Sequence, residues 1–290
     1  MLSALEQRWR VGLQHNLSLA ANAGSFNHYL MQQRATDRSP ERAPAGTTES
    51  PRRLGWPAVL ALNFLPGVAT VALVGVLHPA IESLRWPPVV AYTCAIGLVT
   101  LGELAVLARQ AQRLSGTWDP RRAVALTARL PFRAAVIPIV GFILVAAGLA
   151  ALLDPVASAI SARLAHVVPG WLSADTDATT VATYGRTAVM VALSFNFLID
   201  VIASPYVEEL YWKGYLMRRI PARVALQPVA LAILFAAQHF WQPGEFLLVA
   251  LLQAAIGSHA QRTNSLTVAI WTHWLANGIV TVLTIREVLA

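Results

Sequence analysis

The sequence predicts an all-α protein, a polytopic transmembrane helix bundle of about seven spans, and three observations carry that prediction. Hydrophobic residues make up 56% of the chain against 13% charged, where a soluble domain carries about a quarter charged. Mean hydropathy is +0.53. From Trp56 onward apolar runs follow one another with short polar breaks, most of them near the ~20 residues a helix needs to cross ~30 Å of hydrocarbon.

Two domains are expected: a cytosolic N-terminal arm and linker at 1–55, and one transmembrane domain at 56–290. Residues 1–33 show weak helical periodicity in Trp9, Leu13, Leu17 and Phe26, which suits an interfacial amphipathic helix or a loosely held arm. Residues 34–53 are rich in Arg, Pro, Thr, Ser and Glu; they cannot bury enough apolar area to offset the entropy of ordering, and read as linker. Residues 1–32 lack an apolar core followed by a small-residue cleavage site, so no signal peptide is expected. The seven apolar stretches are roughly 56–77, 88–108, 133–153, 186–207 running on to about 219, 224–241, 245–260 and 265–285. The sixth is short, which suits a helix packed inside the bundle.

Charge placement orients the chain. Arg34, Arg38, Arg42, Arg52 and Arg53 precede the first span, and Arg109, Arg113, Arg121, Arg122, Arg129 and Arg133 separate the second from the third. Both groups belong in the cytosol by the positive-inside rule. The loop 154–184 carries Asp154, Asp175 and Asp177 against Arg163, whereas Lys213, Arg218, Arg219, Arg223 and later Arg262 mark cytosolic turns. The expectation is an integral protein of a bacterial-type inner (plasma) membrane with its N-terminus cytosolic. The net charge of +7 is thereby a topology signal, and no nucleic-acid partner is expected. One cysteine, Cys94 inside an apolar run, allows neither a disulfide framework nor a Cys-based metal site.

Ionisable side chains in hydrocarbon cost at least ~2.5–3.5 kcal/mol each, so each one inside a span needs a reason. Glu103 is six residues from Arg109 and is expected to reach the interface or pair there. Asp200, Ser204 and Glu208 recur every fourth residue on one face, with Pro205 placed to kink it; Asp200 suits a buried interhelical hydrogen bond or an accessory role. Counting from the boundary arginines, Glu209 lies ~14 Å, His273 ~17 Å and His239 ~24 Å along helix axes. His239 is the outlier and requires tilt or a late helix start. His273 and Asn277, four apart, share a face, as do Phe235 and His239. Glu208 and Glu209 cannot, so one can face a reaction centre while the other pairs with Lys213.

In order, these residues read Glu208-Glu209-Leu210-Tyr211-Trp212-Lys213, Phe235-Ala236-Ala237-Gln238-His239 and His273-Trp274-Leu275-Ala276-Asn277. The pattern resembles the CAAX-protease and bacteriocin-processing family, which includes the type II CAAX prenyl endopeptidases. Its motifs run Glu-Glu-x-x-x-Arg, Phe-x-x-x-His and His-x-x-x-Asn. The likeness covers about 190–285, with a motif core at about 186–285. Two departures stand out: Lys213 replaces the arginine, losing the planar fork, and Asn264 stands where glycine is frequent, a residue tolerant of left-handed backbone.

The resemblance implies an intramembrane endopeptidase in which Glu208 with His239 activates water, His273 and Asn277 stabilise the oxyanion, and Glu209 is a structural carboxylate held by Lys213. Phe235 and Asp200 are accessory. No cofactor is required on this reading; a zinc enzyme would use Glu208, His239 and His273 as ligands, though Asn277 is a poor zinc ligand and a good oxyanion donor. The partners are the lipid bilayer and a membrane-anchored, CAAX-type prenylated or unprenylated, peptide substrate. Oligomeric state is left open. Rival readings are a catalytically silent immunity or scaffold protein of the same fold, and a proton-coupled transporter, against which the absence of an inverted repeat of broken helices counts.

Overall fold

The computed structural model describes residues 52–164, 166–172 and 178–289, and every regular element among them is helical. The amphipathic segment and most of the linker expected before Arg52 lie outside these residues, as do Asp175 and Asp177. Five helices among the described residues are long and apolar enough to span a bilayer: α1 (Trp56–Ser83), α2 (Val89–Ser115), α3 (Phe132–Leu164), α5 (Arg186–Arg219) and α8, whose spanning part is Thr267–Val288. The remaining two apolar stretches form α6 (Gln227–Gln238) and α7 (Phe246–Thr263). The twelve residues of α6 rise only ~18 Å, short of the hydrocarbon thickness, and α7 carries Gln253, His259, Gln261 and Arg262. Both are supported by neighbouring helices, and the chain is an integral membrane protein. A short helix, α4 (Ala178–Tyr184), precedes α5.

Helix bounds follow local chemistry. Pro57 occupies the first turn of α1, where a missing N–H costs nothing. Gly116 closes α2 in the left-handed conformation, φ 69°. Asn264 does the same for α7 at φ 53°, the left-handed turn its position in the sequence predicts. The third span runs on through Asp154 and Pro155 to Leu164, so the polar loop begins later than expected. On α3 only Ala135 and Ile139 are buried, and the rest of this apolar helix is half-buried or exposed.

Pro205 changes the geometry of α5. The segment Phe197–Ala203 is π-helical, and the backbone N–H of Ser204 reaches back five residues to the Ile199 carbonyl. In that register the donor for the Asp200 carbonyl is Pro205, which has no N–H. The orphaned carbonyl takes the Asn277 side-chain amide from α8 instead, at 3.0 Å. The Ile202 carbonyl, two residues on, accepts the Trp274 indole N–H at 2.9 Å. A second π segment, Glu209–Leu216, follows directly.

The core lies immediately beside these irregular turns. Trp212, Leu216 and Met217 of α5 pack with Leu107 of α2, Val59 of α1 and Phe235 of α6. From α1, Asn63 donates to the Leu234 carbonyl at 2.9 Å. One turn on, Gly67 meets the end of α6 so closely that a Cβ there would stand 2.4 Å from the Gln238 carbonyl oxygen. That glycine sets how near α1 can come to the residue preceding His239.

Candidate active site

The adjacent glutamates Glu208 and Glu209 point into different surroundings, as ~100° per residue requires. Glu209 is 2% exposed. Its Oε1 accepts the Lys213 ammonium at 2.7 Å and the His273 Nδ1–H at 3.1 Å, while Oε2 has no partner among the described residues. A planar arginine fork would reach both oxygens; the point-like ammonium satisfies one. The pairing is therefore short but one-sided, where the sequence suggested only a looser contact. Lys213 is itself buried and lies 5.9 Å from the Phe235 ring centroid.

Glu208 is partly exposed, with its side chain 19% accessible. The Ser204 hydroxyl donates to Oε1 at 2.8 Å, from the face that the four-residue spacing already indicated. Its other oxygen, Oε2, stands 3.9 Å from His273 Nε2. That separation is too long for a hydrogen bond, yet one water at ~2.8 Å from each atom would bridge them. His273 thus lies between the two glutamates, with Nδ1 on the clamped one and Nε2 toward the exposed one.

His239 is the residue just past α6, not a residue inside it. Its φ of −86° and ψ of 43° end the helix, and α6 begins only at Gln227 after a 3-10 turn, Val224–Leu226; the late start anticipated for this histidine is present. Its Nδ1 is 2.8 Å from the Phe235 carbonyl. A carbonyl only accepts, so Nδ1 carries the proton and Nε2 is left as the basic nitrogen. The ring packs 4.8 Å from Phe235 and 5.2 Å from Trp241, centroid to centroid, and lies within electrostatic reach of Glu208 and His273. Asn277, one turn beyond His273, uses one N–H of its amide on the Asp200 carbonyl and keeps a second. The Asp200 carboxyl is within electrostatic reach of Glu208 and His273.

Glu103 departs from expectation. Six residues do not place two side chains on one helical face, and Glu103 makes no ion pair with Arg109 among the described residues. It is 5% exposed, its Oε2 lacks a partner among the described residues, and it lies within electrostatic reach of Glu208. A charge in an apolar span was the available signal. Ser204, Trp274 and Gly67 position the site without chemistry of their own, and of these only Ser204 had a spacing that pointed to Glu208.

Two imidazoles with Nδ1 committed leave Nε2 free, as in many zinc sites. Among the described residues, however, no three His, Cys, Asp or Glu side chains come together at a spacing able to hold a metal ion. The set Glu208, His239 and His273 does not assemble as a ligand group among the described residues.

Carboxylates, imidazoles and an amide are thus gathered between the helices of a polytopic membrane protein. Residues 190–279 match the family described as Type II CAAX prenyl endopeptidase Rce1-like, a protease family. This segment, which holds all three motifs, is similar to that family, and residues 1–189 and 280–290 lie outside the match. No curated protein and no solved structure matches the chain.

Proposed function

We propose that the protein is an intramembrane endopeptidase that hydrolyses a peptide bond of a membrane-anchored substrate, with the N-terminus on the cytosolic side of a bacterial-type inner membrane. The observation that carries this is the division of labour between the paired glutamates. Glu209 is sealed between Lys213 and His273, and Glu208 stays partly exposed beside His273 Nε2.

Glu208 takes a proton from the bound water, and the water oxygen attacks the carbonyl carbon of the scissile bond. His239 Nε2, the acceptor left by the Phe235 contact, orients the same water through its second hydrogen. General-base assistance of this kind contributes ~10²–10⁴-fold. The oxyanion receives the second N–H of Asn277 and the Nε2–H of His273. Because Nδ1–H is given to Glu209, Nε2 donates only in the imidazolium form, with Glu208 and Glu209 flanking the ring. Each such donor is worth roughly 10²–10³ in kcat. Collapse breaks the C–N bond, and the proton held by Glu208 passes to the leaving amine.

The test is cleavage of fluorogenic membrane-anchored peptides, one series prenylated and one not, by full-length protein in nanodiscs. Glu208→Gln and His239→Ala should each abolish product, and a chelator should change nothing. Product formation that survives both substitutions defeats the assignment; activity lost to chelator and restored by zinc replaces the metal-free route.

A further inference from the structure

A cleft of about 690 Å³ lies between the segment joining α2 to α3 and the motif helices α5 and α8. Its floor is apolar, formed by Leu210, Leu266 and Ile270, and its rim carries Arg121, Arg122 and Arg129 against one acid, Asp119, among the described lining residues. The Arg121 Nε donates to Asp119 Oδ1 at 3.0 Å. That hydrogen bond holds the Asp119 carboxyl below the usual carboxylate range, so it stays anionic and offsets one of the three arginines. Arg122 and Arg129 have no ion-pair partner among the described residues.

The rim is fastened to the domain that carries the site. The Ala125 N–H donates to the Gly214 carbonyl and the Ala128 N–H to the Asn264 carbonyl, both at 2.8 Å. Gly214 permits the first contact, because a Cβ there would stand 2.8 Å from Val124 Cγ1. The cleft shares helices α5 and α8 with the proposed chemistry. On α8, Ile270 precedes His273 by three residues on one helical face, ~4.5 Å of helix rise. An extended peptide advances ~3.4 Å per residue, so a chain whose scissile bond sits at Glu208 and His273 enters the cleft about two residues away.

Resting on the peptidase reading, we infer that this cleft is a substrate subsite for an anionic peptide segment, holding a carboxylate a few residues from the scissile bond on Arg122 and Arg129. Guanidinium groups pair with carboxylates in a planar fork, and the apolar floor accommodates the neighbouring side chains. The apolar floor, with Ile270 one helical turn before His273, favours peptide over a lipid headgroup, which would bind the same arginines but has no use for such a floor.

The experiment uses full-length Glu208→Gln protein in phosphatidylcholine nanodiscs, so that binding is read without turnover. The probes are a dansyl-labelled octapeptide containing three glutamates and its glutamine isostere. The glutamate peptide should bind at least fivefold more tightly, and the preference should weaken with salt. The combined substitutions Arg122→Gln and Arg129→Gln should remove it, with Arg186→Gln as the neutral control. Equal binding of the two peptides, or a preference surviving the double substitution, overturns the inference. So does loss of co-purified phosphatidylglycerol in the double variant with peptide binding unchanged, which would identify a headgroup site. Wild-type protein that cleaves nothing yet binds through these arginines would refute the peptidase reading and leave the anionic peptide site standing.

Discussion

Replacing Lys213 with methionine removes the ammonium 2.7 Å from a carboxylate that is 2% exposed. Breaking one side of a buried pair leaves the other charge uncompensated, at a cost of about 3–5 kcal/mol. At ~1.4 kcal/mol per decade, the folded-to-unfolded ratio falls roughly 10²- to 10³·⁵-fold. For a chain of this size the thermal midpoint should drop by roughly 6–20 °C. The penalty belongs to the stranded charge, so adding Glu209→Gln should recover much of it. The glutamine carbonyl oxygen still accepts the His273 Nδ1–H, and no net charge remains buried. Thermal unfolding in detergent micelles, followed by tryptophan fluorescence, gives the single and double variants side by side. A wild-type midpoint for Lys213→Met, or a double variant no more stable than the single one, would refute the reasoning.

Three further outcomes follow from contacts elsewhere. Gly67→Ala forces α1 away from the Gln238 carbonyl; an overpacking cost of about 1–3 kcal/mol and displaced His239 should appear as a lower unfolding midpoint and at least a tenfold loss of turnover. Asn277→Ala strands the Asp200 carbonyl, costing about 1–3 kcal/mol, and removes an oxyanion donor, so kcat should fall ~10²–10³-fold with KM little changed in steady-state assays. Glu103→Met replaces a buried carboxyl that has an unpartnered oxygen with an apolar group of similar length, and the unfolding midpoint should stay level or rise.

Glu208, Glu209, His239, His273 and Asn277 were legible because each stands in an apolar run where a polar group is expensive. Helical periodicity then gave the Glu209 to Lys213 pairing and the shared face of His273 and Asn277. What periodicity assumes is an uninterrupted α register, and that assumption fails where the site is most specific. The π turn before Pro205 frees the Asp200 carbonyl for Asn277, a consequence of a missing N–H five residues away that no 3.6-residue pattern contains. His239 ends its helix instead of lying within it, so its ring is fixed by the Phe235 carbonyl as well as by side-chain stacking. Glu103 lies within electrostatic reach of Glu208 and makes no ion pair with Arg109 among the described residues, because tertiary packing of α2 against α5, invisible in either segment alone, decides its neighbours. Five of the seven apolar stretches form helices long enough to span a bilayer among the described residues; α6 and α7 are apolar enough to pack inside a bundle, and their apolarity alone says nothing of whether they cross.

Comparing Glu208→Gln with Glu209→Gln measures the assigned division of labour most directly, using turnover of a cleaved membrane-anchored peptide and the unfolding midpoint on the same preparations. Glu208→Gln should lose at least ~10³-fold in kcat with its midpoint unchanged, whereas Glu209→Gln should lose stability through the stranded Lys213 ammonium. Full turnover by Glu208→Gln, or a stable Glu209→Gln protein lacking activity in its place, would contradict it.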